Sequence, residues 1–176
     1  MSVDARNRLQ PALLDRLTDD NPDDRKEVES HRVMSKAQLR QAVLRDLGAL
    51  FNSVQPLAAA AEPYPMLAES VLNFGLPPLS GQLASKLDVS VLEAAIRQAI
   101  VRFEPRILAD TLQVKAQESA SVLDTHNVIE FEIRGHLWSQ PVPLEILLRT
   151  QLDLEAGQVE VRDVAAAAPS NARSSR

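Results

Sequence analysis

The chain has 176 residues, 45% of them hydrophobic, enough for one domain with extensions and a core of useful size. A net charge of −5, with Lys and Arg gathered into no basic stripe, excludes non-specific nucleic-acid binding as the main role. With no cysteine, neither a disulfide framework nor a thiolate metal site is available.

The first ten residues, MSVDARNRLQ, are polar and lack the apolar centre of a secretory signal. No apolar run approaches the roughly 20 residues that a membrane span needs. The chain is therefore expected to be soluble and cytoplasmic, with no direct membrane insertion and with protein partners.

In chain order, the first predicted element is a short helix in PALLDRL (11–17). Leu13, Leu14 and Leu17 fall at helical spacing behind a proline suited to a first turn. Five to seven residues do not hold a helix unaided, so it must dock on something. The next segment, TDDNPDDRKEVESHR (18–32), has charge blocks and almost no apolar side chains, the composition of a linker. Two readings stay open: an arm for a partner, or a helix packed on its own domain.

Ser35 and Gln38 form a predicted capping box. Leu39, Val43, Leu47, Leu50, Phe51 and Val54 then recur at spacings of three or four, a helix stripe ending near Pro56. Residues 55–82 are rich in Pro and Gly and are expected to be irregular, with one helical turn around Leu67–Leu72 closed by Gly75. A second long helix is expected from Ser90, with Glu93 completing a capping box. It would turn Val91, Leu92, Ala95, Ile96, Ala99, Ile100 and Phe103 inward. Pro105 stops it at about Glu104, because proline has no N–H for the carbonyl of Val101 and its ring clashes there.

The remainder alternates. Leu108, Leu112 and Val114 indicate a strand to about 116. In VIEFEIRGHLW, Ile129, Phe131, Ile133 and Leu137 oppose Glu130, Glu132, Arg134 and His136. Leu144, Ile146, Leu148, Leu152 and Leu154 share one face of the next strand. A turn at Glu155-Ala156-Gly157 and a return strand to about Val161 follow. The predicted fold is α+β: two main helices packed on an antiparallel β-sheet meander, with a short N-terminal helix on a linker. Its expected divisions are an arm (1–32), a core domain (33–162) and a disordered tail (163–176).

The E-P-R triplet, Glu104, Pro105 and Arg106, marks the helix-to-strand junction. The acid and the arginine either pair locally to fix the turn or face a neighbouring subunit, and both roles are compatible. The histidines show no metal-ligand spacing: His31 lies in the linker, His126 in a loop and His136 on a polar strand face, all three expected to be solvated. Five glycines form no phosphate loop. No cofactor is expected.

LLDRLTDD, LRQAVLRDLGALFNS, YP, SVLNFGLPPLSG, AIRQAIVRFEPRI and LRTQLDLEAGQVEV occur in an order that resembles the TssE family of type VI secretion baseplate proteins, relatives of phage-tail wedge proteins. The resemblance spans about residues 11–161. It departs at Gly48 and Ala49 and in the alanine-rich stretch 57–61, both of which bear on local helix packing. It implies a structural subunit that joins the wedge proteins TssF, TssG and TssK and helps the TssB–TssC sheath begin to assemble. That assembly would be docked at the inner membrane from the cytoplasmic side. Glu104, Pro105, Arg106, Leu13, Leu14 and Leu17 would then be partner-binding residues.

The family has also carried a lysozyme-like label, so a peptidoglycan hydrolase is the alternative. A glycosidase needs two carboxyl groups in defined roles. Glu104 is a candidate for one, but no spacing marks a second, and the neighbouring Arg106 favours the ionised form over a general acid. An aromatic content of 3% leaves few rings to line a sugar cleft. The expectation is a protein that is not an enzyme. A small-molecule binding module would require an apolar pocket, which sequence does not reveal.

Overall fold

The computed structural model describes residues 12–17, 34–57, 63–78, 88–117 and 128–164. The expected linker, the alanines at 58–61, His31, His126 and the tail from 165 lie outside the described residues. Helices α1 (Leu13–Leu17), α2 (Lys36–Phe51), α3 (Pro65–Ala68) and α4 (Val89–Phe103) precede four strands: β1 (Gln113–Ala116), β2 (Val128–Leu137), β3 (Leu144–Asp153) and β4 (Gln158–Asp163). The strands form an antiparallel sheet in the order β1-β2-β3-β4, as the alternating pattern predicts.

α2 begins where the capping box placed it. The Ser35 hydroxyl accepts from Gln38 N, and the Gln38 side chain accepts from Ser35 N. It passes through Gly48 without a break and ends at Phe51, earlier than Pro56. Val54 is consequently exposed rather than part of the stripe. Past the helix end the rotation of 100° per residue no longer applies, so its spacing means nothing.

α4 has a different cap from the expected one. Its N-cap is Asp88, whose carboxylate accepts from Ser90 N at 2.9 Å and from the Ser90 hydroxyl at 2.7 Å. These donors, the hydroxyl first, hold the Asp88 carboxyl below its usual range. The cap is therefore present above the unfolded-state carboxylate pKa and is lost as pH falls through the folded value. Val91, expected inside, is exposed, while Leu92, Ile96, Ala99 and Ile100 are buried. Glu93 does not close a capping box. Its carboxylate accepts from Ala116 N of β1 at 2.6 Å. Asp88→Ala is thus expected to speed amide exchange at Ser90–Leu92, and Glu93→Ala to do so at Ala116 instead.

The two long helices meet each other and lie over opposite ends of the sheet, α2 against β4 and α4 against β1. Leu47, Ile100, Phe131, Ile133 and Leu137 are completely buried between the layers. Side chains from the helices and their ends also reach both sheet edges. Glu93 takes the Ala116 N–H on β1, and at β4 the Asn52 amide accepts from Val159 N at 2.9 Å and donates to Val159 O at 2.8 Å. Asn52 thereby occupies one rung of the β4 edge as a neighbouring strand would. β4 continues to Asp163, two residues past the expected Val161. Asp163, the first residue of the expected tail, is buried and paired with Arg40 of α2 at 2.8 Å. His136 is half-buried, with Nδ1 inside and no hydrogen-bond partner for it among the described residues, which corrects the expectation that it is solvated.

Candidate docking site at the Glu-Pro-Arg junction

The junction is assembled from three segments. Glu104 caps α4, its N–H donating to Ile100 O at 2.8 Å, and its own carbonyl accepts from Ile107 N at 3.1 Å. Pro105 makes continuation of the helix impossible, so the chain turns and runs beside the end of β2. There Trp138 N donates to Arg106 O at 2.7 Å and Leu108 N donates to His136 O at 2.9 Å. The backbone on both sides of Arg106 is therefore fixed.

The side chains form a clamp. Arg106 Nε donates to Glu104 Oε1 at 2.6 Å, and Nη2 donates to Glu104 Oε2, a two-point contact within the triplet. The same Nη2 also donates to Asp46 Oδ2 on α2. Only 4% of the Glu104 side chain is exposed, against 25% for Arg106 and 31% for Asp46. Burial disfavours the charge on Arg106, but the hydrogen bonds and charges of Glu104, then Asp46, outweigh it, so its pKa lies above that of a free arginine. The local pair read from the sequence is present, and Arg106 also keeps a solvent-facing portion.

A shallow cleft of about 230 Å³ opens beside the clamp. Leu47, Leu50, Phe74 and Phe103 form its apolar lining, and Asp46, Glu104 and Arg106 its polar side. Phe74 and Phe103 meet edge to face, with ring centroids 5.2 Å apart. Phe74 is held there by the closed loop after α2: Leu76 N donates to Ser53 O at 2.9 Å and Gln55 N to Leu76 O at 2.8 Å.

α1 touches this neighbourhood through charge. Arg45, next to Asp46 on α2, donates to Asp46 at 2.9 Å through Nε and to Asp15 of α1 at 2.7 Å through Nη1. These carboxylates, Asp15 first, raise the Arg45 pKa. Leu13, Leu14 and Leu17 point their bulk to solvent, 56–73% exposed. The six residues expected to bind partners thus fall into two groups, the E-P-R clamp and the leucines of α1, bridged by Arg45 and Asp46. Neither bridging residue is marked out by spacing or residue type, because a charged pair on an exposed helix turn ordinarily marks a solvated face.

A family model described as baseplate wedge protein gp25 matches residues 37–142, more than half of the chain. The chain belongs to the gp25 baseplate wedge family. No curated protein and no solved structure matches it. The gp25-like span contains all of α2 but its first residue, α4, the E-P-R triplet and β2, and so includes every member of the clamp. α1, β3 and β4 lie outside that span. The gp25 wedge assignment makes this a structural baseplate protein of a contractile injection machine, with other baseplate proteins as its partners. No helix among the described residues is long and apolar enough to cross a membrane.

Proposed function

We propose that the protein is a TssE-type subunit of a type VI secretion baseplate. It joins the wedge proteins TssF, TssG and TssK and gives the TssB–TssC sheath its first docking point. The observation that carries this reading is the clamp itself: an arginine held rigidly by two carboxylates from two elements, part-exposed, beside an apolar cleft. A preorganised charged group of this kind sets register and orientation at an interface more than bulk affinity. The α1 leucines supply a second contact, to the wedge. The baseplate would act on the cytoplasmic side of the inner membrane.

Strand addition at a sheet edge also supports docking, but Asn52 takes the rung at Val159 and Glu93 the Ala116 N–H, which leaves an incoming strand the remaining stretches of β4 and β1. The hydrolase alternative draws less support. Among the described residues Glu104 and Asp46 are the two carboxyl groups at the cleft, and both are engaged by Arg106 rather than set on opposite sides of a sugar ring.

The test is a pull-down of TssF, TssG and TssK with the full chain, with a chain lacking residues 1–32, and with Leu14→Asp/Leu17→Asp. Retention of the wedge proteins is expected to fall about tenfold or more in both altered forms. The melting transition of the double variant should stay cooperative, because the leucines are exposed. A broadened, non-cooperative transition would assign the helix to its own core instead. Release of muropeptides from peptidoglycan by the wild type, abolished in Glu104→Gln, would replace the scaffold reading with the hydrolase.

A further inference from the structure

Glu104 alone neutralises Arg106 and fixes the plane of its guanidinium through two hydrogen bonds. Asp46 adds a third, from a helix 60 residues away in sequence, onto a nitrogen that already has a partner. Asp46 is also part-exposed, so burial does not demand this pairing. Its effect is directional. With Nε and Nη2 committed, the donors of Nη1 are the ones left without a hydrogen-bond partner among the described residues, on a side chain that lines the cleft.

We propose that Asp46 is a positioning residue of the docking site, holding Arg106 from α2 so that Nη1 is presented to a neutral acceptor on the sheath, a backbone carbonyl of an extended segment. This rests on the docking role proposed above. The acceptor is neutral because Asp15, Asp46 and Glu104 outnumber Arg45 and Arg106 along the connected chain of charges, which repels a carboxylate. A peptide carbonyl accepts two N–H groups without that penalty, and the apolar cleft beside it takes the adjoining side chain. Arg45 in turn holds Asp46 and reaches Asp15, which places α1 on the same chain of contacts.

The test measures association of the TssB–TssC heterodimer with assembled baseplates carrying Asp46→Ala, Asp46→Asn, the pair replacement Glu104→Gln/Arg106→Met, or that pair with Asp46→Ala. Asp46→Ala is expected to weaken association about tenfold with the melting temperature kept. Asp46→Asn keeps an acceptor oxygen for Nη2 and should recover to within about threefold of wild type, which also guards against misfolding of the alanine form. Adding Asp46→Ala to the pair replacement should cost nothing further, and the salt dependence should stay that of the wild type because the acceptor is uncharged. Wild-type association by Asp46→Ala, or a loss that adds in full to that of the pair replacement, would overturn the positioning role. A marked change in salt dependence would overturn the neutral acceptor. Wild-type association by the pair replacement itself would instead defeat the docking role on which the inference rests.

Discussion

Arg106→Ala is expected to destabilise the protein by about 3–5 kcal/mol, seen as a lower denaturation midpoint with an unchanged denaturant slope. The cause is Glu104. Its side chain is almost wholly buried, and with Arg106 gone the carboxylate loses both guanidinium hydrogen bonds while remaining out of water. Replacing both partners has the opposite logic. In Glu104→Gln/Arg106→Met the glutamine oxygen still accepts from the Arg106-position N–H, now 3.2 Å away, and no buried charge is stranded. Buried ion pairs exchanged for uncharged groups of similar volume are commonly neutral or better, so this variant should stay within about 1 kcal/mol of wild type. A melting-neutral truncation of Arg106 is therefore not expected, and docking defects of Arg106→Ala alone would mix folding with recognition.

Gly75→Ala should be the most damaging of the small backbone changes, costing about 3 kcal/mol. Gly75 has φ 126°, a conformation that residues with a Cβ rarely adopt, and an added Cβ would lie 2.4 Å from Ser53 O. That oxygen is the acceptor for Leu76 N, so the clash falls on the hydrogen bond that closes the loop. The displacement would carry Phe74 off Phe103 and deform the cleft beside Arg106. Gly157→Ala is the control. Its φ is 64° and its Cβ would meet nothing within 4 Å, so the cost should be only the left-handed backbone penalty, about 1 kcal/mol. Thermal unfolding of the two variants side by side checks the ranking, and equal losses would mean that the contact with Ser53 is not decisive.

Features encoded locally were legible in the sequence. The Ser35 and Gln38 box, the stop at Pro105, the alternation of Phe131, Ile133 and Leu137, and the turn glycine at 157 each depend on neighbours within a few residues. Helix periodicity over-reached at Val54 and Val91, where apolar residues continue the spacing but the helix has ended or its face has turned to solvent. Glu93 fitted a capping motif three residues after Ser90, yet β1 offered its carboxylate a better donor and Asp88 took the cap. Half of the candidate site was legible in the same way. Glu104 and Arg106 stand beside a proline whose effect on the backbone is certain. Asp46 was not, because its partner lies across a tertiary contact that no spacing along α2 encodes. Asn52 and Arg40 are illegible for the same reason: each reaches β4 more than 100 residues later in the chain.

On the function proposed above, the charges of the Glu-Pro-Arg junction serve docking as well as the fold. Sheath nucleation on baseplates assembled with Glu104→Gln/Arg106→Met tests it most directly, because that variant removes the charges without stranding one. The expected result is a protein that melts like wild type, enters the baseplate with its wedge partners, and fails to start TssB–TssC polymerisation. Normal sheath nucleation from such baseplates would contradict the docking role and leave Glu104 and Arg106 as residues that hold a turn.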